Sequence, residues 1–113
     1  MGDRVLMQCW SSSTGAFGPV VYGHWAGGNA PAIVARLALR MATRPGDVQY
    51  ASARLVQELC AATSDPNGSL SVGIWNTDHI LAADDSHGDA GCWLIDVSDN
   101  FSTKILGASG EQY

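Results

Sequence analysis

The chain has 113 residues, of which 46 % are hydrophobic and 15 % charged, a balance that excludes a disordered or fibrous protein. That length buries one core and is too short for two of independent stability, so a single domain spanning residues 1–113 is expected. Eleven acidic against six basic side chains give a formal charge of −5, which argues against a general affinity for nucleic acid or anionic lipid.

The first predicted element is a strand over Arg4–Trp10 (RVLMQCW), rich in β-formers. The polar turn SSSTGA leads to a second strand over Phe17–Trp25, so the two should form a β-hairpin. Pro19 has no N–H for a ladder, which places the start of that strand at an edge or bulge. Period-two alternation sets Val20, Tyr22 and His24 on one face and Val21 and Trp25 on the other.

A helix follows, with Asn29 as N-cap, Pro31 in its first turn and an end near Thr43. Ile33, Val34, Leu37, Ala38 and Met41 share one face, and Arg36, Arg40 and Arg44 recur every four residues on another. Arg44-Pro45-Gly46-Asp47 reads as stop, turn and N-cap of a second helix, Val48–Ala62. Its stripe Val48, Ala51, Leu55, Leu59 and Ala62 should point inward, while Gln49, Arg54, Gln57 and Glu58 are assigned to water. The pair is expected to form an antiparallel helical hairpin on a sheet.

Ser64 to Ser69 is a dense cluster of turn formers. Strands are then expected over Leu70–Trp75, at His79–Ala83, over Cys92–Ser98 and over Phe101–Gly107, with Asp84 to Gly91 as a polar loop and a frayed tail to Tyr113. The order is ββααββββ: an α+β fold with a mostly antiparallel sheet, one face covered by the helical hairpin and the other partly solvated. Trp10, Trp25, Trp75 and Trp93 fall on β segments as core residues or exposed anchors, which the register decides.

The chemistry concentrates between His79 and Asp96. Asp84, Asp85, His87 and Asp89 offer hard oxygen ligands and one imidazole, a set that Mg²⁺, Mn²⁺ or Zn²⁺ can use, although the spacing matches no defined metal motif. The competing reading is turn chemistry, with Asp and Ser capping amides and glycines supplying positive φ. His24 ends a strand beside Gly27-Gly28; with His87 and Asp89 it would supply acid–base chemistry if the loop packs against it. Cys9, Cys60 and Cys92 read as small buried hydrophobes without CxxC spacing. No signal-peptide pattern begins the chain and no apolar run is long enough for a bilayer, so a cytoplasmic protein without a membrane partner is expected. The glycines fit neither a P-loop nor a dinucleotide fingerprint, and no cofactor is expected.

Arg36, Arg40 and Arg44 hold half of the positive charge of an acidic chain, so this stripe and Trp25 are the binding candidates. No aromatics interleave with the arginines, and a nucleic-acid partner is not expected. The runs VVYGHWAGGNAP, GDVQYASARLVQ, LSVGIWN and DDSHGDAGCWLIDV resemble small proteins of unassigned activity encoded in bacteriophages and prophages. That resemblance implies an accessory protein of the host cytoplasm that binds a host protein or complex, inhibitors of bacterial defence among them. Two further readings stand beside it: a small hydrolase or metal-dependent enzyme built on His24 and the Asp84–Asp89 loop, and a homo-oligomer joined through edge strands.

Overall fold

The computed structural model describes residues 4–23, 29–63, 72–85 and 90–107. Its organising element is β1 (Val5–Trp10), whose residues are buried up to Cys9 and whose side chains alternate between two apolar layers. Val5, Met7 and Cys9 join one core cluster and Leu6 the other. A strand that is apolar on both faces is stable only at the centre of a sheet, and the observed order β3-β2-β1-β4-β5 puts it there.

The expected α+β class and mostly antiparallel sheet are found. β2 (Val20–Gly23) pairs antiparallel with β1, and β3 (Val72–Trp75) antiparallel with β2. β4 (Gly91–Asp96) and β5 (Ser102–Leu106) form the last antiparallel pair. The β1–β4 contact is parallel, however, so the sheet is mixed. The long connection that parallel neighbours require contains β2, both helices and β3.

The second strand is shorter than expected. Pro19 cannot donate, and Phe17 contributes only an isolated bridge to Trp10 before the ladder starts at Val20. Gly18 is required by close packing, because a Cβ there would lie 2.3 Å from the Ser52 hydroxyl, which donates to the Val48 carbonyl. His24 and Trp25 lie outside the described residues.

Helices α1 (Ala30–Arg40) and α2 (Val48–Thr63) cover the Val5/Met7/Cys9 face. The predicted stripes are the buried ones: Ile33, Leu37 and Met41 on α1, with Val48, Ala51, Leu55 and Leu59 on α2. Burial of each large aliphatic stabilises the fold by about 1.5–3 kcal/mol. Asp47 caps α2 as expected, its carboxylate accepting from the Tyr50 amide at 3.0 Å. Asn29 occupies the N-cap position of α1 without a side-chain bond, and α1 ends before Thr43, with the Met41 amide closing on the Leu37 carbonyl.

The strand expected at His79–Ala83 is absent. Residues 77–82 run without ladder pairing into a single 3₁₀ turn, Ala83–Asp85, and together form a strap across the second sheet face. Side chains bond this backbone instead of a neighbouring strand. Thr77 Oγ1 accepts from the His79 amide, and Asp85 Oδ2 accepts from the Ala82 amide at 2.8 Å. Leu81 is thereby seated on Leu6, Val20, Cys92 and Leu94. The face expected to be partly solvated is closed at its centre by the strap, while Tyr22 and Trp75 stack toward the β3 edge with ring centroids 6.2 Å apart.

One buried amide fixes the strap. Gln8, fully buried in the middle of β1, accepts from the Leu81 amide at 2.8 Å and donates to the carbonyls of Gly18 and, more weakly, His79. Replacing it by methionine keeps the length but leaves the Leu81 amide buried and unpaired. Gln8→Met should therefore lower unfolding stability by about 1–3 kcal/mol in a denaturant titration; no measurable loss would mean that the strap is held otherwise.

Candidate functional site

The arginine stripe lies along the seam between the helices. Spacing by four residues puts Arg36 and Arg40 on adjacent turns of α1, opposite α2 in an antiparallel pair. Both donate through Nε to one carboxylate, Glu58: Arg36 to Oε1 at 2.7 Å and Arg40 to Oε2. The two arginine side chains are 48 % and 43 % exposed, whereas that of Glu58 is 3 % exposed. The expectation that Glu58 faces water is thus corrected. Position 58 flanks the buried stripe of α2, and two guanidinium groups arriving from α1 make burial of its charge tolerable.

Burial alone would raise the Glu58 pKa. Hydrogen bonds from Arg40 and Arg36, reinforced by their charges, outweigh it and hold the carboxyl below its ordinary value. Nε is occupied on both arginines, and about half of each side chain is left exposed. Arg44 continues the stripe. It lies 3.8 Å from the Asp47 carboxylate and over the Tyr50 ring, 4.5 Å from the centroid. Arg54 approaches the same ring at 5.1 Å. Tyr50, Arg54 and Glu58 succeed one another by four residues on α2, so one stripe of that helix meets the arginine stripe of α1.

The second constellation is on the strap. His79 Nδ1 lies 2.9 Å from Asp78 Oδ1 and 3.1 Å from Thr77 Oγ1, and Nε2 lies 3.1 Å from Asp85 Oδ2. Hydrogen bonds to Asp78 first and Asp85 second raise the His79 pKa above its ordinary 6.5. Asp85 is held low chiefly by the Ala82 amide, and Asp78 chiefly by His79. An imidazole bonded to a carboxylate at each nitrogen favours the imidazolium. It is poorly suited to take a proton from Thr77, whose hydroxyl is also tied to the His79 backbone.

The predicted metal and catalytic set divides. His87 and Asp89, like His24, lie outside the described residues. Asp84 is exposed on the 3₁₀ turn, and Asp85 is committed to His79 and the Ala82 amide. Among the described residues no three His, Cys, Asp or Glu side chains are placed to hold a metal ion. Trp25, the aromatic binding candidate, is also outside them. Trp93 is core, its indole donating to the Ala90 carbonyl, and Trp75 is 43 % exposed on the β3 edge.

Cys9 and Cys92 are buried, as expected of small hydrophobes, whereas Cys60 on α2 is only partly buried. Burial pushes the Cys9 and Cys92 thiols up to about 12 and about 11, which suppresses thiolate chemistry. Asp96 is structural as well: Oδ1 accepts from the Ser12 amide and from the Ser98 amide and hydroxyl, tying the two sheet turns together. A shallow cleft of about 360 Å³ beside Met41, Pro45, Val97 and Phe101 has no charged side chain on its walls. Among the described residues no helix is long and apolar enough to cross a membrane.

The Arg36–Glu58–Arg40 clasp and the Arg44–Tyr50–Arg54 cluster are therefore the candidate site among the described residues. Helical periodicity assigns Glu58 to water and gives Tyr50 no role, although positions 50, 54 and 58 share a four-residue phase with the arginines across the hairpin. Compared with family models, with curated proteins and with solved structures, the chain has no match.

The strap supplies a prediction with a defined sign. Because folding raises the His79 pKa, its bonds favour the folded strap below the ordinary 6.5 and lose that contribution as pH rises through the folded value. Asp85→Asn should bring the titration of His79, followed by NMR of its ring protons, down toward the ordinary value. An unchanged midpoint would show that Asp85 does not bond the ring.

Proposed function

We propose that this chain is a small accessory protein that binds an acidic macromolecule of the host through the basic seam of its helical hairpin. The observation that carries this reading is the Glu58 clasp, which orients two arginines while leaving both about half exposed. Arginine loses side-chain freedom when it binds, and orientation in advance removes part of that cost. The seam bears four arginines against Asp47 and Glu58, an excess of positive charge in a chain whose net charge is −5. Such a local reversal favours one docking face over general adhesion.

The sequence resemblance supports a phage-encoded origin and a counter-defence role, and the free cysteines Cys9, Cys60 and Cys92 add support for a cytoplasmic setting. An enzymatic reading has less support among the described residues, where the one well-formed histidine cluster favours the imidazolium. The test is capture of partners from host lysate with the wild-type chain and with Arg36→Gln and Arg44→Gln, each first checked for native unfolding stability. Loss of about tenfold or more in affinity for a captured acidic partner is expected, as for removal of charge-assisted contacts. A partner retained equally by both variants would place the binding face elsewhere.

A further inference from the structure

The seam repeats along the hairpin, and the repeat is electrostatically uneven. At one turn of α2, Glu58 receives Nε–H groups from Arg36 and Arg40. One turn earlier on the same stripe, position 54 is an arginine. Its Nε is buried and has no hydrogen-bond partner among the described residues. One further turn back stands Tyr50, with the guanidinium groups of Arg54 and Arg44 5.1 and 4.5 Å from its ring centroid. The nearby carboxylate of Asp47 reaches Arg44 only at 3.8 Å, beyond hydrogen-bond range.

An unpaired buried guanidinium N–H is costly, and two like charges on one ring add repulsion. The Glu58 rung shows what resolves such a pair in this seam: one carboxylate accepting from two arginines. We propose that the Arg44–Tyr50–Arg54 cluster is a seat for a carboxylate, supplied by an Asp or Glu side chain of an acidic protein segment. This assignment rests on the basic-seam reading above and names its partner chemistry. The incoming carboxylate accepts from Arg44 and, as the Arg54 side chain turns outward and uncovers its buried Nε, from Arg54, and does for this rung what Glu58 does for the next. A carboxylate is favoured over a phosphoryl group because the neighbouring rung is already satisfied by one.

The experiment uses the full chain labelled with ¹⁵N, an oligoglutamate peptide as probe, and inorganic phosphate and oligothymidylate as alternatives. On addition of the peptide, the Arg54 Nε–Hε signal should shift in a saturable way. Arg54→Gln should weaken the peptide about tenfold, whereas Lys104→Gln, paired with Leu94 on the sheet face away from the helices, should weaken it less than about threefold. Peptide binding that leaves the Arg54 signal in place, or that Arg54→Gln does not weaken, overturns the seat while leaving a basic docking face standing. A shift produced by phosphate or oligothymidylate and not by the peptide overturns the assignment to carboxylate. No binding of any of the three removes both. The signal of the wild-type chain decides the matter even if Arg54→Gln fails to fold.

Discussion

A strand that is apolar on both faces must be covered twice, and β1 imposes that condition on the rest of the molecule. Val5, Met7 and Cys9 demand a layer on one side, which the helical hairpin provides. Leu6 demands another on the opposite side, supplied at its centre by Leu81 of the strap. β4 shares the constraint, since all six of its residues are buried beside β1. Two strands buried on both faces and lying side by side fix the middle of the sheet, and the weaker, more exposed strands β3 and β5 are left at its edges.

The helical hairpin consequently has one face committed to the core, and its chemistry is displaced to the seam and the outer surface. Burying Glu58 there is tolerable only because two arginines converge on it, and their convergence in turn organises a basic surface. Structure and candidate function are therefore linked through one carboxylate. The strap has a similar double character: Gln8 anchors it from below, and the His79–Asp85 contact closes it from above.

Much of the fold was legible in the sequence because local signals agreed. The turn chemistry of Arg44-Pro45-Gly46-Asp47, the aliphatic spacing on both helices and the alternation in β2 and β3 each point to what is found. The parallel β1–β4 contact was not legible, since strand order depends on which apolar strands compete for the centre, and no local pattern encodes that. The strap misled for a physical reason. His79-Ile80-Leu81 has β-former character, but the side chains of Thr77, Gln8 and Asp85 offer the amides of His79, Leu81 and Ala82 nearer partners than a neighbouring strand would. Glu58 misled because helical periodicity assigns a face without revealing what approaches from the other helix. Arg36 and Arg40 share one face of α1 as their spacing predicts, whereas Arg44 falls in the turn beyond the helix, and Glu58, the residue that organises the first two, is visible only in three dimensions.

The arginines of α1 clasp Glu58 and thereby build the basic seam, and titration of that carboxyl by ¹³C NMR reads the clasp out. Burial and the arginines push its pKa in opposite directions, so the sign is decisive. A midpoint below the ordinary 4.5 is expected, with the stabilising contribution present at neutral pH and lost as pH falls through the folded value. A midpoint above 4.5 would mean that Glu58 is buried without its arginines, and the seam described above would not exist.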